Sequence, residues 1–250
     1  MTKTADDHTL PEFQKVPIPD DADIGTYGNE AMITLRGDWS PPGYKKGGKD
    51  DDDDDNLLLA GSLLVVPMQD VMKNDYSKST CLFEPTPSKS LSSTTTTKDY
   101  VILEALEDVR TSLIIWKKDG EKWSLQEAPK DGASVPIGEG VGFSNPNRDS
   151  SSDNRLFVWK DGFLVPQTLE YIEDVADLLT TKDTAVKLKS KPSEFDSSEL
   201  TVDQNFAISK DGTKIPYFVI RKKDIPLDGT NPTLVDAYGG VSITRYNHDV

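Results

Sequence analysis

Near its end the chain runs Asn231-Pro232-Thr233-Leu234-Val235-Asp236-Ala237-Tyr238-Gly239-Gly240-Val241. An apolar climb to a tyrosine above paired glycines predicts a buried strand over Thr233–Tyr238 that ends in a sharp turn. Glycine accepts backbone angles closed to other residues, so the pair could aim the phenol. A phenol placed there can donate one hydrogen bond, or it can fill the core above the turn. On these residues alone both readings stand.

Other chemistry-bearing residues are sparse. A serine nucleophile raised on a strand–turn–helix elbow needs Gly-x-Ser-x-Gly or a Gly-Gly-Ser variant, and neither occurs. His8 and His248 lie in polar surroundings near the ends of the chain and read as surface histidines. Cys81 stands in Thr80-Cys81-Leu82-Phe83 and reads as a small core residue; a single cysteine allows no intrachain disulfide. Asp50 to Asp55 form an unbroken acidic run. Calcium chelation needs carboxylates spaced around a turning loop, so the run reads as a solvated loop insertion. Gly138-Glu139-Gly140-Val141-Gly142 spaces its glycines like a phosphate loop, but Asn145-Pro146 follows where the helix should begin, and the segment reads as a turn.

The elements that must position the tyrosine are mostly strands. Short runs rich in β-branched and aromatic residues predict strands at Met32–Leu35, Ser62–Val66, Thr80–Phe83, Tyr100–Leu106, Ser112–Trp116 and Trp123–Gln126. Arg155–Trp159, Thr201–Ser209 and Lys214–Arg221 continue the series. Lys-Asp-Gly recurs between them, and Asp-Gly supplies the left-handed residues of a tight hairpin. It predicts hairpins joining Leu113–Trp116 to Trp123–Leu125 and Phe206–Ile208 to Ile215–Ile220. Pro67 to Lys73 reads as one short helix. Leu169, Ile172, Val175 and Leu179 fall at helical spacing, yet Gln167–Ile172 also alternates like a strand. Pro41 to Asn56 and Ser92 to Thr97 read as disordered, the second a low-complexity stretch. The Pro-, Ser- and charge-rich stretch Lys187 to Glu199 reads as a linker and sets the expected domain boundary. Many antiparallel hairpins at short spacing predict a sandwich, barrel or propeller.

The chain has 250 residues, a formal net charge of −15 and 35% hydrophobic residues, with four Trp, eight Tyr and eight Phe to anchor a core. The negative balance argues against nucleic acid or an anionic membrane as partner. The absence of an apolar leader, membrane span or glycosylation acceptor predicts a cytoplasmic protein.

Several phrases, in order, resemble the prolyl oligopeptidase family of serine peptidases. They are Ile33-Thr34-Leu35-Arg36-Gly37-Asp38-Trp39, Ala60-Gly61-Ser62-Leu63-Leu64, Leu82-Phe83-Glu84-Pro85-Thr86-Pro87 and Gly162-Phe163-Leu164-Val165-Pro166-Gln167-Thr168-Leu169. The longest is Phe206 to Phe218, followed by Leu227-Asp228-Gly229-Thr230-Asn231-Pro232-Thr233 and Tyr238-Gly239-Gly240. The resemblance implies a mainly β chain. Residues 1–198 would form part of a β-propeller, seven-bladed in the family, with 50–55 as a loop insertion. Residues 199–250 would start an α/β-hydrolase domain.

The same resemblance implies a serine-type oligopeptidase that cleaves short peptides after proline by acyl-enzyme chemistry, as a monomer when complete and without cofactor or metal. Tyr238 would donate its hydroxyl to the oxyanion, with Gly239, Gly240 and Val241 at the substrate. Val241 departs from the family's Phe, which lines the pocket that grips proline; Asp236 and Ala237 also depart. The oligopeptidase B branch has Gly-Ser-Tyr at Gly239-Gly240-Val241, so the prolyl branch is the better match. The catalytic Ser, Asp and His are expected further along, which makes this stretch inactive alone. The alternative is a non-catalytic propeller module that binds peptides or proteins.

Overall fold

Antiparallel pairing between neighbours in sequence builds nearly all of this structure, a computed structural model that describes residues 14–46, 56–127, 138–147, 152–180 and 184–237. The chain divides into two compact units, Met1–Leu82 and Phe83–Val250.

The first unit carries β1 (Asp23–Tyr27), β2 (Glu30–Thr34), β3 (Leu63–Pro67) and β4 (Thr80–Phe83), whose last residue crosses the division. They form one sheet in chain order. Gly28, at φ +57°, makes the β1–β2 turn. The short helix α1 (Met68–Val71) follows β3, as expected. Ile33, Leu35, Leu58, Leu64, Val66 and Val71 are buried together around Tyr76. Tyr76 is fully buried, so its hydroxyl needs a partner; it donates to the Pro17 carbonyl at 2.7 Å, and Trp39 meets the ring edge-on at 4.8 Å. Cys81 is half-buried against this core. Trp39 and Leu58 exchange backbone hydrogen bonds of 2.9 and 2.8 Å. This bridge ties the two sides of the segment that holds Asp50 to Asp55, a run outside the described residues.

The second unit repeats the pattern twice. One sheet runs β5 (Lys89–Thr96), β6 (Tyr100–Glu107), β7 (Arg110–Asp119) and β8 (Lys122–Gln126). The other joins β9 (Glu139–Ser144), β10 (Leu156–Gly162), β11 (Thr168–Ile172) and β12 (Val186–Ser190), again in chain order. A two-stranded hairpin, β13 (Leu200–Ile208) with β14 (Lys214–Lys222), completes the unit. Both predicted hairpins form, with Asp119 opposite Lys122 and Ile208 opposite Lys214.

Three expectations are corrected and one open alternative is resolved. Ser92 to Thr97 is largely strand: its threonines are β-branched and pair with β6, which is buried along most of its length. Gly138–Gly142 mostly forms β9, not a turn, because its glycines admit the close approach of β10. Lys187–Ser190 is not linker but most of β12, since alternating Val186 and Leu188 suit strand pairing with β11. The ambiguous segment is strand β11 and then a 3₁₀ helix at Val175–Leu179, capped by Asp174 accepting from the Ala176 amide at 2.8 Å.

The two four-stranded sheets of the second unit share a core in which Ile102 and Ile115 meet Leu156, Val158, Ile172 and Val175. Side chains of the first sheet also close the free edge of β9. Phe143 donates its amide to Glu104 Oε1 at 3.1 Å, and its carbonyl accepts from Thr95 Oγ1 at 3.0 Å. Asn154 bonds both the Asp99 amide and the Asp99 carboxylate, each at 2.9 Å.

Burial raises the pKa of Glu104, and the Phe143 amide opposes that rise. The folded protein therefore holds this proton more tightly than the unfolded chain does. The contribution of Glu104 to stability is fullest below the ordinary glutamate pKa of 4.5 and is lost as pH rises through the folded value. Glu104→Gln keeps an acceptor and removes the charge. Its melting temperature relative to wild type should climb from about pH 4 to about pH 8. A pH-independent difference in thermal melts would contradict a desolvated carboxylate at this seam.

Candidate functional site

The route to the tyrosine starts on β13–β14. Opposed residues of an antiparallel pair share a face. One face therefore carries Val202 with Ile220, Gln204 with Phe218, and Phe206 with Pro216. This face meets both four-stranded sheets of the unit. Gln204 Nε2 donates to the Asp108 carbonyl in the β6–β7 turn at 2.6 Å. Phe218 lies 5.4 Å from the Phe163 ring, centroid to centroid, beyond the end of β10. Val202 covers Gly138, where an added Cβ would stand 2.9 Å from Val202 Cγ1 and 2.8 Å from Phe163 Cδ2. On the opposite face Arg221 bridges Asp203, Nη2 to Oδ2 at 2.8 Å.

Beyond Lys222 the described chain has no further strand. Asp228 Oδ1 accepts from the Thr230 amide at 3.0 Å and holds a turn around Gly229. Leu234 is then 94% exposed and Val235 83%. The strand expected over Thr233–Tyr238 is thus absent through Ala237. Parallel strands depend on flanking strands and covering helices, and among the described residues nothing pairs with these. Tyr238, Gly239, Gly240 and Val241 lie outside the described residues, as do His8 and His248.

Among the described residues no cluster of His, Cys, Asp and Glu could hold a metal ion. No helix among them is long and apolar enough to cross a membrane. Two positions that matter to packing carry a faint signal in the sequence. Gln204 interrupts the alternating apolar line Val202, Phe206, Ile208, and Glu104 interrupts the run Val101–Leu106.

Consecutive four-stranded antiparallel meanders are the blades of a β-propeller, and this mainly β chain holds part of one. The comparisons agree. The chain is 33% identical over 236 residues to an uncharacterized peptidase of Sinorhizobium fredii, a match covering 93% of this chain and 29% of that protein. An uncharacterized peptidase of Rickettsia prowazekii is 28% identical with the same two coverages. Among solved structures, a post-proline cleaving enzyme from Rickettsia typhi aligns with a TM-score of 0.63 at 26% identity, over 91% of this chain and 30% of that one. Oligopeptidase B from Trypanosoma brucei aligns at 0.56 over 84% and 26%; at 12% identity it speaks to the fold alone. The chain's homologues are peptidases of the prolyl oligopeptidase family, and the chain matches a fragment of them. It spans about three tenths of their length. No protein-family profile matches it.

Proposed function

We propose that the protein to which this chain belongs is a serine-type oligopeptidase that cleaves short peptides after proline through an acyl-enzyme. The observation that carries the reading is the 33% identity to a peptidase along 93% of the chain, Tyr238-Gly239-Gly240 following the matched hairpin. In this reading residues 1–198 contribute propeller blades, and 199–250 begin the hydrolase domain. Tyr238 donates its hydroxyl to the oxyanion, a bond that strengthens as charge develops and so lowers the barrier. Gly239 and Gly240 aim the ring, and Val241 lines the proline pocket with less stacking surface than a phenylalanine offers. The complete protein acts as a cytoplasmic monomer.

The attacking serine and its His and Asp partners belong to sequence outside these 250 residues. A serine-directed covalent probe tests this directly. The 250-residue chain should stay unlabelled, and a longer product that reaches a downstream Gly-x-Ser-x-Gly-type phrase should label and hydrolyse proline-containing peptides. Labelling of the short chain, or a longer product inert to probe and peptide alike, would remove the assignment.

A further inference from the structure

The turn between β6 and β7 is strained. Glu107 pairs with Arg110, which leaves Asp108 and Val109 as a two-residue loop with φ of +49° and +66°. Such loops favour Asn and Gly; a β-branched residue in the left-handed region is an outlier. Strain of this kind persists where the surroundings over-determine it. Here Asp108 is held from two directions: its amide donates to the Ser88 carbonyl at 2.9 Å, and its own carbonyl accepts from Gln204 Nε2 at 2.6 Å. The second bond reaches across 96 residues of sequence to the middle of β13.

Two further contacts of the hairpin, Val202 on Gly138 and Phe218 near Phe163, are apolar. Apolar contact is non-directional and allows sliding, whereas a hydrogen bond to a fixed carbonyl sets one register. We propose that Gln204 is a positioning residue. Its bond to the strained Asp108–Val109 turn registers the β13–β14 hairpin on the two four-stranded sheets, and loss of that bond frees the hairpin from its seat. The consequence for catalysis rests on the proposed function, because β14 leads toward Tyr238.

Amide hydrogen exchange on the 250-residue chain tests the inference without any peptidase assay, so it fails or stands apart from the proposed activity. Gln204→Leu keeps the bulk and removes the donor. Exchange in β13–β14 should quicken about tenfold, the change expected when a part-buried carbonyl loses its partner. Exchange in β9–β12 should not change. Gln204→Glu, nearly isosteric and also without the donor, should behave like Leu. Gln204→Lys returns a donor of similar reach and should restore most of the protection. Unchanged hairpin exchange in both donorless variants would overturn the proposal. A quickening spread equally over every sheet, or a Lys variant as fast as the Leu variant, would overturn it as well.

Discussion

On the proposed function, Tyr238→Phe in a longer, active product is expected to lower kcat about 10²–10³-fold, the loss seen when one oxyanion donor is removed. The substitution deletes a single oxygen and keeps the ring, so the melting temperature should barely move. The two kinetic constants should separate. The ground-state carbonyl carries little charge, so substrate binding, and with it KM, changes little. The tetrahedral adduct carries a full negative oxygen, so kcat takes the loss. Acylation monitored in single turnovers should slow by the same factor. A kcat within about threefold of wild type would return Tyr238 to the role of a ring that fills space above a turn.

The structure shows why some elements could be read from the sequence and others could not. Strands that bury an alternating or continuous apolar face declare themselves. Tyr100–Leu106 and Leu113–Trp116 were legible because their side chains carry the burial signal. The hairpins were legible because Asp-Gly names the turn. β5 was not: its serines and threonines look like loop, and it is a strand because its partner β6 buries the shared surface. Thr95 shows the difference, since its hydroxyl meets the carbonyl of Phe143, 48 residues away. β9 was hidden for the opposite reason. Glycines carry no side chain to signal burial, and only the proximity of Gly162 and Phe163 reveals why they are there. The end of the chain failed in the other direction. Leu234 and Val235 read as buried strand, yet a strand is a relation between neighbours, and among the described residues they have none. The candidate site was legible only as a motif, at Tyr238-Gly239-Gly240-Val241. The machinery that seats the preceding hairpin, Gln204 on the Asp108 carbonyl, is a long-range contact that no local pattern encodes.

Gly138→Ala should destabilise the second unit by roughly 2–5 kcal/mol, a large part of the 5–15 kcal/mol that holds a typical domain together. Two penalties combine. Gly138 has φ +79°, where any L side chain is strained, at about 1–2 kcal/mol. The new methyl would also stand 2.8 Å from Phe163 Cδ2 and 2.9 Å from Val202 Cγ1, and overpacking of this kind costs about 1–3 kcal/mol. Gly212→Ala separates the two. It sits at φ +86° with nothing within 4 Å, so it should show the backbone penalty alone. Denaturant midpoints of the two variants should differ by the packing contribution. A double-mutant cycle then locates that contribution. Val202→Ala in the Gly138→Ala background removes one of the two clashing side chains and should recover part of the loss, giving a favourable coupling energy. The recovery should be accompanied by restored protection of β13, because Val202 is how the strain at Gly138 reaches the hairpin. Equal losses for Gly138→Ala and Gly212→Ala, with additive effects in the cycle, would mean that Val202 does not press on Gly138 in solution. The hairpin would then be held by Gln204 and the Phe163–Phe218 contact without it.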